Sequence, residues 1–328
     1  MYSRENLLPF FVSGSETPKF LDFKTRKTIS ESKAIRMREL ATTKSLESES
    51  LDDAAGLEGS PSFKVIDTML EAIEASGCLP DLQGLGMEMG SGLGLLSASI
   101  IKRDSQKKIS GILALEAGLP FVTEGISRAS REVLGDNSYR ILPCYGSFDK
   151  IAIASKSIDF IFQIEALHHA DELAPPIREA YRLLKSGGYF ISIDRSWPDK
   201  VTSLTLKELL DHEYESEWLL RKGFPSDAPF TRRDNGEHEY RDREWFSAFK
   251  EAGFIHLGTR HIHPEVKIFH IMKRLVTFLG LRKILKMKIP SRSGVLRGLL
   301  NSKGFFAIPG GLILTSHPRA LTVTIWQK

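Results

Sequence analysis

The sequence has few of the features that mark several large classes of protein. Among 328 residues there are two cysteines, Cys78 and Cys144, so the disulfide framework of small secreted proteins and the paired CxxC motifs of zinc sites are both missing. No stretch approaches the roughly 20 apolar residues that a membrane-spanning helix needs. The opening MYSRENLLPFFVSGSE has too short an apolar run for a signal peptide. These absences predict a cytoplasmic protein without a metal site.

The excess of one sign of charge is also small. The net charge is +4, the difference between 45 Lys and Arg and 41 Asp and Glu, and predicts no general affinity for nucleic acid or membranes. The hydrophobic content of 41% is nevertheless enough for a large core. We therefore predict a globular chain, either one large domain with additions or two smaller ones.

The middle of the chain alternates between strand and helix patterns. Strands are predicted at 85–89, 110–115, 139–144, 158–164 and 189–194, and helices at 93–103, 121–134 and 172–184. Such alternation is typical of a parallel sheet with helices on both faces, which binds ligands at the carboxyl ends of its strands. The sequence therefore predicts a doubly wound α/β core.

A cluster of glycines follows the first of these strands. The stretch MEMGSGLG (87–94) has three glycines at alternate positions, directly after Glu88 and before a helical pattern. A dinucleotide-binding turn needs GxGxxG, but Leu95 stands where its third glycine would be. A P-loop is excluded because no Gly-Lys-Ser/Thr follows. The turn is therefore predicted to hold a ligand other than a dinucleotide or a nucleoside triphosphate.

The acidic residue beside the glycines favours a cationic ligand. A carboxylate at Glu88 repels pyrophosphate and attracts an ammonium group, and S-adenosylmethionine has an ammonium and a sulfonium group but no phosphate. Glycines let the backbone approach such a ligand closely. Glu116, at the end of the second strand, is placed to accept hydrogen bonds from the ribose hydroxyls. These residues together predict an S-adenosylmethionine site.

Four linked motifs occur in order along this core. They are MEMGSGLG (87–94), ALEAG (114–118), YGSFDKIAIASKSIDFIFQIEALHH (145–169) and EAYRLLKSGGYFISID (179–194). In combination they resemble class I S-adenosylmethionine-dependent methyltransferases, and in particular the branch of ubiquinone and menaquinone biosynthesis methyltransferases. The resemblance implies a Rossmann-like sheet of seven mostly parallel strands with an antiparallel last strand. RDREWFSAFKEAGF (241–254) resembles the last core helix, with strands following at 254–262 and 320–328.

The resemblance also implies roles for individual residues. The implied cofactor-binding residues are Glu88, Gly90, Ser91 and Gly92 around the methionine part, Glu116 and Ala117 at the ribose, Ser147 and Phe148 beside the adenine, and Ile164 where the backbone closes the site. The family often has an acid where Ser147 stands, and a serine accepts the adenine amino group more weakly. His169 and His168 follow the fourth strand and are the candidate general bases, with a purely structural role as the alternative.

The remaining segments are predicted to surround this core. We divide the chain into an N-terminal arm (1–60), the cofactor-binding core (61–195), a lid insertion (196–240), a continuation of the core (241–262), a basic amphipathic insertion (263–318) and the last core strand (319–328). Both insertions are predicted to be helical. Because insertions at the carboxyl edge carry binding residues on a rigid scaffold, the first of them is predicted to cover the acceptor. The alternative for it is a solvated helix with its aromatic residues buried beneath.

The two insertions differ in composition. The lid insertion is acidic and aromatic, and its His212, Glu213, His238 and Glu239 match no metal-ligand spacing. The segment from His263 to Gly304 has ten Lys and Arg and one acid, with an apolar helical face over 268–279. Three hypotheses remain open for it: ordinary packed helices, peripheral membrane contact through 267–288, or docking of RNA or an anionic substrate.

The predicted activity is methyl transfer from S-adenosylmethionine to a small-molecule, saccharide or lipid-linked acceptor, with oxygen as the expected methylated atom. A long lid that encloses a discrete acceptor favours this prediction. The first alternative is an RNA or protein methyltransferase that uses the basic 263–304 segment, with nucleic acid the less favoured partner. The second is an S-adenosylmethionine-binding protein without turnover. The predicted location is the cytoplasm, with membrane association as a further possibility.

Overall fold

The computed structural model describes residues 20–23, 63–221, 229–264, 305–309 and 321–328. The strands in these ranges are β1 (Leu21–Asp22), β2 (Gly84–Met89), β3 (Ile109–Glu116), β4 (Ile141–Tyr145), β5 (Ile158–Ile164), β6 (Leu184–Arg195), β7 (Ile255–Pro264), β8 (Phe305–Pro309) and β9 (Leu321–Gln327). The α-helices in these ranges are α1 (Phe63–Ala75), α2 (Leu95–Arg103), α3 (Ile126–Leu134), α4 (Ala174–Leu183), α5 (Ser203–Leu210), α6 (Ser216–Arg221) and α7 (Asp242–Ala252).

All of these strands belong to one sheet, in the order β1-β4-β3-β2-β5-β6-β9-β7-β8. The strands β2 to β6 pair in parallel, and β9 lies antiparallel between β6 and β7. The predicted mostly parallel α/β sheet with an antiparallel last strand is thereby confirmed. The order places β2 beside β5 in the middle of the sheet, so the loops that follow these two strands meet at its carboxyl edge.

The predicted number of seven strands is too low. The described residues add β1, which pairs with β4 at one edge, and β8, which pairs with β7 at the other. β1 lies in the predicted arm and β8 lies in the predicted basic insertion, so that insertion is not wholly helical. Both strands are short edge strands defined by backbone pairing with a distant neighbour. Periodicity in so few residues gives no strand signal.

Helices cover both faces of the sheet, as expected for a doubly wound fold. On one face α1, α2 and α3 pack against β-strand side chains such as Ile112 and Phe162. On the other face α4 and α7 pack against side chains such as Phe190, and the Trp326 ring of β9 stacks on Phe249 with centroids 4.5 Å apart. The core is therefore two apolar layers separated by the sheet, which leaves the strand ends for the site.

Several element boundaries differ from the predictions, and three of the differences have a clear structural reason. A π-helical turn, Phe121–Gly125, precedes α3, and a 3-10 turn, Gly135–Arg140, delays the start of β4 to Ile141. β6 begins at Leu184 rather than at Tyr189, because Leu184 pairs with Ile158 of β5 and a register shift follows. The glycines of KSGG indicate a turn locally, but sheet pairing extends the strand through them.

The insertions are described in part. The first contains α5, α6 and the loop 229–241, which is joined to the core by a bridge between Trp197 and Arg241. The predicted helices around 267–288 and most of the N-terminal arm lie outside the described residues. In the described part of the chain, no helix is long and apolar enough to cross a membrane.

Candidate active site

The glycine loop between β2 and α2 has the backbone shape that only glycine adopts easily. Gly90, Gly92 and Gly94 have φ values of 73°, 51° and 70°. A Cβ atom at Gly90 would lie 2.4 Å from the Cβ of Ala166, whereas one at Gly92 would meet nothing within 4 Å. Gly90 is thus needed for packing against the loop after β5, and Gly92 faces open space at the strand ends.

Glu88 lies beneath this loop and is fully buried. Its Oε2 atom accepts hydrogen bonds from the backbone N–H of Ser97, at 3.1 Å, and from the Ser97 hydroxyl, so it caps the first turn of α2. Burial raises the pKa of Glu88 to about 8, against the lowering effect of the Ser97 hydrogen bonds. The Oε1 atom of Glu88 and the hydroxyl of the buried Ser91 have no hydrogen-bond partner among the described residues.

Glu116, at the end of β3, joins the glycine loop to the loop after its own strand. Its Oε2 atom accepts a hydrogen bond of 2.8 Å from the N–H of Gly92. Its Oε1 atom accepts hydrogen bonds of 2.9 Å from the N–H groups of Ala117 and Gly118. A carboxylate can accept about four hydrogen bonds. Ribose hydroxyls would therefore either add to the three backbone hydrogen bonds of Glu116 or replace some of them. The ribose role of Glu116 and Ala117 remains a prediction.

The residues predicted to contact the adenine and to close the site also lie at the carboxyl edge of the sheet. The Ser147 hydroxyl donates to Oδ2 of Asp149 at 3.2 Å, and the Phe148 ring edge lies 4.0 Å from the position of a Cβ on Gly90. Ile164 is the last residue of β5 and packs partly buried against the core. The structure therefore brings these residues to the strand ends next to the glycine loop, and their contacts with a cofactor stay predictions.

The two histidines form a 3-10 turn after β5, directly behind Ala166. His168 is buried, and its Nδ1 atom lies 2.7 Å from Oδ1 of Asp194 at the end of β6. The Nδ1 atom of His169 lies 3.0 Å from the carbonyl oxygen of Gly236, and the two rings are 4.2 Å apart. Burial raises the pKa of Asp194 to about 6, although Arg195 and two backbone N–H groups oppose the rise. The better anchored candidate base is thus His168.

A buried cluster of charges lies beside the histidines. Arg195 donates to Glu237 at 2.9 Å and to Glu239 at 3.4 Å, and Arg232 contacts both carboxylates. Burial would raise the pKa of Glu237, but Arg195 and then His168 lower it to about 2. The cluster lies close to the histidine turn, since the N–H of His238, between the two glutamates, donates to the carbonyl oxygen of His168 at 2.8 Å. It joins the end of β6 to the loop 229–241 of the lid insertion.

Sequence reasoning missed Asp194 and this cluster. Asp194 is the last but one residue of β6, just as Glu88 and Glu116 lie near the ends of their strands, so an acid near a strand end was the available signal. Arg232 and the two glutamates gave no such signal, because their positions depend on how the lid insertion folds back. In the described ranges no group of three or more His, Cys, Asp or Glu is arranged to hold a metal ion.

The observed atoms fit S-adenosylmethionine. The buried Oε1 atom of Glu88 can accept a hydrogen bond from an ammonium group, and the Ser91 hydroxyl can donate to a carboxylate. Both atoms belong to the glycine loop region, where Gly92 leaves room for a ligand to approach the backbone. The amino-acid part of the cofactor would therefore meet complementary groups at this loop, and these contacts stay predictions.

Comparisons with known proteins identify the domain in which these residues lie. Residues 87–192 match the family described as a methyltransferase domain. This segment is thus a methyltransferase domain of the class I S-adenosylmethionine-dependent type, and its cofactor is S-adenosylmethionine. The protein is a methyltransferase. The narrower resemblance to ubiquinone and menaquinone biosynthesis enzymes stays a prediction. A search of curated proteins finds no match to the chain.

Many solved structures share the fold at low sequence identity. The cyclase SpnF is 14% identical, with 90% of this chain and 97% of that chain covered and a TM-score of 0.51. The YcgJ protein of Bacillus subtilis is 15% identical over 79% and 96% of the two chains, with a TM-score of 0.44. A geranyl diphosphate methyltransferase is 11% identical over 79% and 77%, with a TM-score of 0.46. Since one of these relatives is named a cyclase, the fold by itself does not identify a reaction or an acceptor.

Proposed function

We propose that the protein methylates a hydroxyl group of a small-molecule, saccharide or lipid-linked acceptor, with His168 as the general base. The observation that carries this proposal is the 2.7 Å contact between Nδ1 of His168 and Oδ1 of Asp194, both buried. An aliphatic hydroxyl is a poor nucleophile, so a base that removes its proton lowers the barrier to transfer. When bound, S-adenosylmethionine supplies a methyl group that its sulfonium already activates.

The geometry explains how His168 can act. Donation from Nδ1–H to Asp194 fixes the tautomer, so the lone pair that takes up a proton is on Nε2. Asp194 also accepts a hydrogen bond of 3.3 Å from the backbone N–H of His168, which holds the residue from two sides. The turn is attached to the glycine loop through the contact of Ala166 with Gly90. The base is thus positioned by the same loop that binds the methyl donor.

His169 is kept as the second candidate base. Its Nδ1 atom faces the carbonyl oxygen of Gly236 in the lid insertion, so its orientation depends on a segment outside the core sheet. His168 has a charged partner within the core, which can stabilise the imidazolium that forms when it accepts a proton. Measuring methyl transfer by a variant of each histidine shows which of the two acts as the general base.

The test combines binding and turnover. We expect His168→Gln and Asp194→Asn to lower methyl transfer by about 100-fold or more, as for loss of a general base, while S-adenosylhomocysteine binds with unchanged affinity in calorimetry. His169→Gln serves as the matched control at the neighbouring position. A larger loss with His169→Gln than with His168→Gln would transfer the role to His169. Unchanged turnover in all three variants would remove the base from the mechanism.

The acceptor class is tested with labelled methyl donor and fractionated extract of the source organism. Label in small molecules or lipids supports the proposal. Label in RNA or protein would instead favour the alternative that rests on the basic 263–304 segment, nearly all of which lies outside the described residues. Binding of S-adenosylhomocysteine without any transfer would favour a non-catalytic protein. Contact of residues 267–288 with membranes and a cytoplasmic location stay predictions.

The domain division is proposed on the same basis. Two element boundaries support a core that ends at Arg195 and resumes near Arg241. β6 ends at Arg195, and α7 begins at Asp242. We propose that 196–240 acts as a lid because its loop contacts the histidine turn. Limited proteolysis with and without S-adenosylhomocysteine tests this division, and a cut within 196–240 that the ligand does not slow would argue against the lid.

A further inference from the structure

Two buried polar atoms of opposite type belong to side chains that bind the same carboxylate near the histidine turn. The Nε–H group of Arg195 is a donor without a hydrogen-bond partner among the described residues, and the Oδ1 atom of Asn235 is an acceptor without one there. Both side chains bind the same carboxylate, since Arg195 donates to one oxygen of Glu237 at 2.9 Å and Asn235 to the other at 3.2 Å. Unpaired buried groups are costly, so a ligand that pairs with both gains affinity.

Glu165 follows the last residue of β5 and lies beside Arg195. Its φ of 46° is unusual for a residue other than glycine, and such backbone strain occurs often at active sites. Its Oε1 atom lies 4.0 Å from Nε of Arg195, too far for a direct hydrogen bond. An oxygen placed about 2.8 Å from both atoms would see them at an angle of about 90°, so one hydroxyl could accept from Arg195 and donate to Glu165.

The charges here argue against an anionic acceptor. The guanidinium groups of Arg195 and Arg232 are already held by Glu237 and Glu239, and Glu165 adds a third carboxylate. No excess of positive charge therefore remains among these groups for a phosphate or a carboxylate. A neutral group that both donates and accepts hydrogen bonds matches the unpaired atoms, and a hydroxyl is such a group.

We propose that Glu165, Arg195 and Asn235 form an acceptor subsite for neighbouring hydroxyl groups, and that the acceptor is an uncharged saccharide or polyol. One hydroxyl binds between Glu165 and Arg195, and a second donates to Oδ1 of Asn235. Since Asn235 and Glu237 belong to the lid loop, we expect the acceptor to enter by displacing contacts of this loop. The inference rests on the proposed function, because the adjacent His168 would deprotonate the hydroxyl that is methylated.

The first arm of the test uses defined acceptors and labelled methyl donor. The uncharged panel consists of methyl glycosides of glucose, galactose, mannose, rhamnose and xylose, with myo-inositol. The comparison panel consists of glucose 1-phosphate, catechol and histamine. We expect label in at least one uncharged polyol, at least tenfold above its level in every member of the comparison panel. Transfer only to the comparison panel, or to neither panel by a protein that binds S-adenosylhomocysteine, overturns the proposal.

The second arm assigns the subsite to its residues. Arg195→Lys keeps the charge but removes the Nε–H donor, and Asn235→Ala removes the unpaired acceptor. We expect each to raise the acceptor KM tenfold or more with the dissociation constant of S-adenosylhomocysteine within twofold. The exposed Asn137 gives the matched control, Asn137→Ala, which should change neither constant. An unchanged KM in both subsite variants overturns the assignment even if a glycoside is methylated.

The two arms separate this inference from the proposed function. Loss of the subsite alone appears as methyl transfer to a phenol or an amine, with an intact effect of His168→Gln on turnover. Failure of the proposed function appears as a protein whose turnover does not respond to His168, His169 or Asp194, whichever acceptor it uses. The subsite is judged from the KM of the Arg195 and Asn235 variants, and the proposed function from the turnover of the histidine and Asp194 variants. The two failures are therefore distinguishable.

Discussion

Glu88 should make the stability of the ligand-free protein depend on pH. Burial raises its pKa from 4.5 to about 8 in the folded chain. Between these values the folded state holds a proton that the unfolded state has lost. The contribution of Glu88 to the free energy of unfolding is therefore full below pH 4.5, falls by about 1.4 kcal/mol per pH unit as the pH rises, and levels off above the folded pKa.

Glu88→Gln removes this titration and keeps a neutral hydrogen-bonding group. We expect the free energy of unfolding of the variant, relative to the natural protein, to increase steadily between pH 6 and pH 8 and then to stay constant. Urea unfolding at a series of pH values measures the difference. Parallel pH profiles for the two proteins would contradict the assignment of a protonated Glu88.

The same residue should couple cofactor binding to a proton. An ammonium group near Oε1 of Glu88 favours the carboxylate, so binding at pH 7 should release a proton that the buried acid held. Calorimetry with S-adenosylhomocysteine in phosphate and in Tris detects this release, because the two buffers take up the proton with different enthalpies. The buffer dependence should shrink in Glu88→Gln. An equal dependence in both proteins would place the titrating group elsewhere.

The glycine loop offers a comparison at the level of a structural element. Alanine at Gly92 must adopt a φ of 51° but finds open space, so we expect it to cost about 1–2 kcal/mol of stability. Alanine at Gly90 has a similar strain at a φ of 73°, and its Cβ also overlaps the Cβ of Ala166 at 2.4 Å. Gly90→Ala should therefore destabilise the protein more than Gly92→Ala, as measured by denaturant unfolding.

A second substitution shows whether the overlap is the cause. Ala166→Gly removes the atom that the new Cβ would meet, so it should restore part of the stability that Gly90→Ala loses and none of the stability that Gly92→Ala loses. This double-mutant cycle also tests the contact through which the glycine loop positions the histidine turn. Additive effects of Gly90→Ala and Ala166→Gly would contradict that contact.

The site was predictable from the sequence only where it depends on local structure. The positive φ values at Gly90, Gly92 and Gly94 require glycine, so the loop is visible in the sequence. The pairing of His168 with Asp194 joins residues 26 positions apart at two strand ends, and no local sequence pattern predicts it. Arg195 meets the lid loop through an insertion whose path the sequence pattern does not define.

The whole fold shows the same division between local and long-range information. The alternation of strands and helices between 85 and 195 is a local pattern and predicted the parallel core, whereas the antiparallel last strand was implied by the resemblance to class I methyltransferases. The edge strands β1 and β8 exist through pairing with β4 and β7, far away in sequence, and were missed. The start of β6 was misplaced because its pairing with β5 overrides the local glycines.

The last strand joins the two parts of the sheet, so a large core residue in it should control the stability of the whole molecule. β9 pairs with β6 on one side and with β7 on the other, and Trp326 lies opposite Phe190 and His256 in these two pairings. The Trp326 side chain is fully buried, its ring stacks on Phe249 of α7, and its Nε1–H donates to the Thr324 hydroxyl at 2.8 Å. Its packing therefore links three elements.

Trp326→Ala should lower the free energy of unfolding by about 3–5 kcal/mol, because it leaves a large cavity and breaks the ring contacts. Trp326→Phe retains most of the apolar volume and should cost clearly less. Denaturant unfolding followed by far-ultraviolet circular dichroism and by near-ultraviolet signals measures both the loss and its cooperativity. Coincident transitions with a lower midpoint would show that β9 stabilises the sheet as one unit. An early transition confined to one signal would show instead that α7, β7 and β9 unfold apart from the parallel core.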